Sequence, residues 1–283
     1  MDIIYKQGDA LLQEINQTSV PDNCLALWNL GQEGYVIKGA KDIICIDPYL
    51  SDSIARDAQT PGEGVRDFPP PIDPNRFQSA AAVLCTHYHQ DHMDGDTLKA
   101  IANASDSTLF VVPASHESLA RSFGIDVSRI LLAKDMEPLQ IGEFTITPVA
   151  QKHQEFETDA KGNHFFLGYI VEANGVTLYH SGDTVYFPEL VDRLSKYRID
   201  IAMVNSNGRD WMRDEANIIG NMNYREALEF VRAIQADLVI PMHFDMFAGN
   251  RENPAYFVDY LFNRHRSQKF HMFAVGERFI YHR

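Results

Sequence analysis

Long hydrophobic runs are missing from this sequence. No apolar stretch approaches the roughly 18 residues of a membrane-crossing helix. The opening MDIIYKQGDALLQEINQ carries charges throughout, unlike the apolar block of a secretory leader. Cysteine is scarce: Cys24, Cys45 and Cys85 form an odd set without a framework spacing, which argues against a disulfide-stapled scaffold. Two of them lie inside apolar, strand-like runs, where buried free thiols are common. Positive charge is also in deficit, with 25 Lys and Arg against 39 Asp and Glu and a formal net charge of −14. With no basic helix or arm, that balance argues against a role built on neutralising nucleic-acid phosphates. No repeat or low-complexity tract is visible. The expectation is a cytoplasmic protein that acts on a small molecule, with neither a membrane nor a nucleic acid among its partners.

What is present is an ordinary globular balance, 45% hydrophobic and 23% charged, in 283 residues. GDALLQEINQ reads as a short amphipathic helix with Asp9 as its cap. Short β-like runs follow: LALWNL, YVIKG and DIICIDPYL. Residues 51–78 break the pattern with prolines and no clear period, as an active-site lid or a plain surface excursion would. After SAAAVLCTH, strands alternate with helices. GEFTITPVAQKH reads as a strand ending on His153, and HFFLGYIVEANGVTLYHSGDT as a hairpin turning at ANG. NYREALEFVRAIQ is a helix opened by an Asn223/Glu226 capping box. ADLVIPMHFD is a strand ending on His243, and KFHMFAVGERFIYHR a closing hairpin. Meander-like strands followed by strand–helix alternation occur in each half. That predicts an α+β (α/β) chain, one domain over residues 1–283, with two mixed sheets face to face and helices outside: an αββα four-layer sandwich.

The segment CTHYHQDHMDG, residues 85–95, packs three histidines and an aspartate into six positions. If it is extended, His87, His89 and Asp91 converge and His92 turns out of register as a helix begins. Two imidazoles can hold one divalent ion, and Asp91 with His92 can reach a second. A catalytic site of this kind needs about three protein ligands and an open position, so further ligands must come from elsewhere. His153, Asp183 (in the turn HSGDT) and His243 each sit at an expected strand end.

THYHQDH followed by YHSGDT and IPMHFD resembles the metallo-β-lactamase superfamily. Within it, LWNLGQEGYVIK, the IDP at 46–48, YHSGDTVYF, IDIAMVNSNG and VIPMHFDMFAGNRENP are similar to the L-ascorbate-6-phosphate lactonases. The resemblance implies a first metal on His87, His89 and His153, a second on Asp91, His92 and His243, and Asp183 bridging them. The ions would be zinc or manganese, with iron also suited to such ligands. The chain departs from the lactonase pattern at His153, where that family carries an acidic residue, and in an insertion over 208–222 that holds GRDWMRDEANIIGN. The implied chemistry is hydrolysis: water held between the ions loses a proton easily and attacks a carbonyl or phosphoryl centre, with Asp91 orienting it. A lactone of a small polar or phosphorylated sugar acid is the expected substrate, and a homo-oligomer the expected assembly. Phosphodiester cleavage, including nuclease-like chemistry, a di-iron redox role and a non-catalytic metal-binding scaffold are the alternatives.

Other residues carry weaker signals. His180 and His164 are candidates to orient a ligand, with His180, Arg209 and Arg213 also candidates to touch substrate. Arg56, Arg66 and Arg251 lie in loops that should surround the metal edge and could take a phosphate or carboxylate. Trp211 and Phe244 could line the pocket. Each alone is more commonly a surface charge or a packing residue.

Overall fold

A computed structural model of the protein describes residues 4–60, 62–216 and 218–283; Pro61 of the 51–78 segment and Asn217 of the 208–222 insertion lie outside them. Fourteen strands form two seven-stranded sheets. In the first sheet, β1 (Cys24–Gly31), β2 (Gly34–Lys38) and β3 (Ile43–Ile46) make an antiparallel meander. β4 (Ala82–Leu84), β5 (Leu109–Pro113) and β6 (Ile130–Ala133) continue it in parallel. The second sheet repeats the plan. β7 (Leu139–Ile141), β8 (Phe144–Ala150), β9 (Leu167–Ala173) and β10 (Val176–His180) run antiparallel. β11 (Ile201–Asn205), β12 (Leu238–Met242) and β13 (Lys269–Phe270) are added in parallel.

Strand β14 (Arg278–His282) pairs antiparallel with β1, which corrects the expected closing hairpin. The chain leaves β13 in the second sheet and crosses to the open edge of the first. A Gly-Glu turn between two apolar runs reads locally as a hairpin, but two unpaired sheet edges offered each run a better ladder. The expected N-terminal cap is also different: Asp9 lies inside the first turn of the Gly8–Gln17 helix, whose N-cap is Gln7.

Alternation along the strands sorts side chains into three layers. Leu25 and Leu27 of β1 join Ile146, Tyr169, Ile201 and Ile240 between the sheets. Ala26, Trp28 and Leu30 of the same strand face outward under the helices Gly8–Gln17 and Gly95–Ala104, against Leu11, Ile15, Leu98 and Ile101. The outer face of the second sheet is covered in the same way by Leu190, Phe230, Val231 and Phe257. Strands buried on both faces read as continuous apolar runs, as β1 and β12 do. The helix Tyr224–Ala233 is opened by the expected Asn223/Glu226 capping box. Among the described residues, no helix is long and apolar enough to cross a membrane.

The candidate metal centre

One edge of the sandwich gathers the chemistry. The histidine motif follows β4, Asp183 follows β10, His243 directly follows β12, and Asp47 directly follows β3. Gln32 and Glu33 form the turn between β1 and β2. His153 lies three residues beyond the end of β8, not on the strand itself. Three residues here, Gln32 (φ 58°), Asp47 (φ 44°) and His243 (φ 63°), hold the left-handed backbone conformation that non-glycine residues seldom adopt. Such strain persists only where the surroundings over-determine it, and it clusters at functional sites.

The motif is not extended. Beyond Leu84 it runs through bends into a turn, with the His92 N–H donating to the His89 carbonyl at 2.9 Å and the Met93 N–H to the same carbonyl at 2.8 Å. The following helix starts only at Gly95, capped by Asp94. The turn therefore divides the motif differently from strand alternation. His87 and His89 group with His153 and Asp183, while Asp91 and His92 group with His243. Asp183 stands between the two trios. One of its oxygens is 3.3 Å from His153 Nε2 and 3.8 Å from His87 Nε2. The other is 3.3 Å from His243 Nε2 and 3.6 Å from His92 Nε2. Asp91 Oδ2 closes the second trio, 3.4 Å from His92 Nε2 and 3.6 Å from His243 Nε2.

Whether these residues fit metal ions can be judged from the groups left without partners. His87 Nε2, His92 Nε2 and Asp183 Oδ1 are buried and make no hydrogen bond, a costly state that a cation would relieve. The donor set, imidazoles and carboxylates, suits zinc, manganese or iron(II). His89 and Asp91 are half-buried while the other five residues are buried, so the centre opens to solvent past these two.

The supporting residues are ones the sequence reading left without a role. Asp47 is fully buried; its Oδ2 is 2.8 Å from His92 Nδ1 and accepts from Thr86 Oγ1 at 2.5 Å, and Thr86 Oγ1 in turn lies 3.0 Å from His87 Nδ1. One carboxylate thus orients an imidazole in each trio, the arrangement that fixes a ligand's tautomer and direction. Gln32 Nε2 donates to Asp91 Oδ2 at 2.7 Å and lies 3.2 Å from His243 Nε2. Phe166 backs the first trio, with ring centroids 5.0 Å from His87 and 5.1 Å from His153. The turn at Gly182 (φ 56°) is braced by Asn205 Nδ2, which donates to its carbonyl at 2.6 Å. A Cβ at Gly182 would meet the Leu167 carbonyl at 2.6 Å, so only glycine lets Asp183 sit this deep.

Electrostatics separates the two trios. Burial pushes His87 well below the ordinary histidine range and His89 down to about 4. For His92 burial acts in the same direction, but Asp91, Asp183 and the hydrogen bond to Asp47 outweigh it and hold the ring well above that range. Burial pushes Asp91 up, but His92 and His243 prevail and hold it below the usual carboxylate range.

The weaker candidates fall elsewhere. His180 is fully buried behind the Asp183 turn, accepting from the Gly182 N–H through Nδ1 and bonding the Glu33 carbonyl through Nε2 at 3.0 Å. It braces that turn. Arg209 forks onto Glu226, and Arg213 bonds Asp210 and the Asn207 carbonyl. Arg56 pairs with Asp57 and Asp96, and Arg251 with Asp67. Arg66 is buried against the carbonyls of Phe68, Tyr49 and Ser51. Its neighbours are fastened to the loop after His243, through Asp67 N–H to the Met246 carbonyl and Phe68 packed with Met246. Trp211 is 72% exposed and Phe244 half-buried. His164 is half-buried against Phe156.

Comparison with known proteins agrees with this geometry. The family model of the Beta-lactamase superfamily domain matches residues 43–244. The chain is 25% identical over 280 residues to the probable L-ascorbate-6-phosphate lactonase UlaG of Escherichia coli O127:H6, covering 87% of this chain and 77% of that one. Among solved structures, the isothiocyanate hydrolase from Delia radicum gut bacteria superimposes with a TM-score of 0.72 at 20% identity, over 90% of this chain and 98% of that one. Igni18, a metallo hydrolase from Ignicoccus hospitalis, gives 0.69 at 19% identity, over 92% and 99%.

Proposed function

Since the chain belongs to the β-lactamase superfamily and is a metal-dependent hydrolase, we propose that it opens the lactone ring of a small polar sugar acid, using two divalent ions held by the two trios and shared through Asp183. The observation that carries the two-ion reading is the division of Asp183, one oxygen turned to each trio. The lactone reading is supported by the similarity to the probable L-ascorbate-6-phosphate lactonase.

Bound divalent ions would supply an acidified water and a polarised carbonyl. The residues of the chain provide the rest. Asp91 is the half-buried carboxylate at the open side. It can orient the attacking water and pass on its proton. Gln32 fixes the direction of Asp91 through its 2.7 Å hydrogen bond. Asp47 and Thr86 keep His87 and His92 aimed inward, and Phe166 keeps water from the back of the first trio.

The test is metal content and turnover of the wild type and an Asp183→Ala variant, on a lactone panel with added zinc or manganese. About two ions per chain are expected in the wild type, with the variant losing metal and lactone hydrolysis together. Turnover of bis(p-nitrophenyl) phosphate with none of the lactones would replace this reading by phosphodiester cleavage. Bound metal with no turnover of either would favour a scaffold.

A further inference from the structure

The β1–β2 turn places Glu33 against the second trio with nothing to satisfy it. The side chain is wholly excluded from solvent, and neither carboxyl oxygen has a hydrogen-bond partner. A buried carboxyl group without partners is costly and persists only where something compensates it. No protein group nearby does so. The nearest basic atom, His92 Nδ1, is 4.0 Å away and already committed to Asp47 at 2.8 Å. His180 turns its ring to the Glu33 backbone carbonyl, not to the side chain. The remaining charged neighbours, Asp183, Asp47 and Asp91, are all acidic. Yet one Glu33 oxygen, one nitrogen of His92 and one oxygen of Asp183 lie within 4.8 Å of one another, which puts the carboxyl group beside two of the residues that serve the second position.

We propose that Glu33 is a further ligand of the second ion, beside Asp91, His92, His243 and Asp183. This inference rests on the two-ion reading above and deepens it. The two positions then differ in kind. The first has three imidazoles and one carboxylate, a set of the size and type that suits zinc. The second has two imidazoles and three carboxylates, an oxygen-rich set of five that suits manganese or iron(II). The protein is built for two unlike ions.

The test uses metal-stripped wild type and Glu33→Gln, each dialysed against equal zinc and manganese, with bound metal read by mass spectrometry and manganese by electron paramagnetic resonance. The wild type should hold two ions with manganese in one position. E33Q should keep the first ion, bind the second at least about 10-fold more weakly, and lose its manganese share. Glutamine copies a neutral carboxylic acid, so E33Q with unchanged stoichiometry, affinity and metal ratio would overturn the proposal and make Glu33 a protonated bystander. A wild type that binds no metal would instead sink the two-ion reading, and Glu33 with it. If E33Q does not fold, anomalous scattering from manganese-loaded wild-type crystals decides. A Glu33 oxygen about 2.2 Å from the ion supports ligation, and one beyond the first coordination sphere overturns it.

Discussion

The two trios that share Asp183 differ by one ligand, three imidazoles in the first against two imidazoles and the Asp91 carboxylate in the second, and they sit in opposite surroundings. His87, His89 and His153 are backed by the apolar ring of Phe166. Asp91, His92 and His243 are backed by Asp47 and Gln32. Burial depresses His87 and His89 in the first, while Asp91, Asp183 and Asp47 raise His92 in the second, so protons compete with a cation more strongly there. The Asp91 carboxylate inside the second trio and Asp47 behind it together set the two positions apart.

That contrast can be broken most forcefully from the apolar side. Phe166→Ala should cost about 3–5 kcal/mol of stability by opening a cavity behind the first trio, read by urea unfolding. The second ion should remain bound in the folded fraction, and equal loss of both ions would show that the two positions are not separately supported.

Protons give a second break. His89 is depressed to about 4 in the folded, metal-stripped protein. Between the unfolded value near 6.5 and that value the unfolded chain binds more protons, so stability falls as pH falls through this window, by up to about 3 kcal/mol. His92 is raised, so its contribution is complete below about 6.5 and is lost as pH rises through its folded pKa. In melts with chelator present, His89→Asn should gain on the wild type as pH drops from 6.5 towards 4. His92→Asn should lag most at low pH and close the gap at high pH. Parallel profiles would erase the distinction between the trios.

The smallest effect is expected from the orienting carboxylate. Asp47→Ala should weaken metal binding about 10- to 100-fold, more at the second position, where Asp47 touches His92 directly, than at the first, which it reaches through Thr86. Equal weakening of both would place its influence in the fold of the loop and not in the imidazole it orients.

Much of the site was legible because metal ligation demands particular side chains at particular places. Four such residues within His87–His92, and Asp183 and His243 at strand ends, stand out against any background of surface charge. Gln32 and Glu33 did not, since a polar pair in a tight β-turn is the commonest thing a sequence contains. Asp47 was visible only as part of an IDP tripeptide. Their roles depend on β1, β2 and β3 lying beside β4, which brings residues 32 and 47 to a motif at 87–92. For Arg209 and Arg213 the sequence showed the loops but not the partners, Glu226 and Asp210, that engage them in the fold.

The sequence by itself determined the layered architecture, through strand runs buried on both faces and helices with one apolar side, and it determined the donor chemistry, because only histidine and carboxylate in that density serve a metal. Tertiary structure alone decided the pairing of the last strands, β13 and β14 going to different sheets because two open edges offered more hydrogen bonds than a local hairpin. It supplied the reason the motif divides as the family resemblance implied, since a turn at His89 overrides the alternation a strand would impose. And it completed the difference between the trios, because folding brings Asp183 and Asp47 to His92 beside the Asp91 that already precedes it in the chain.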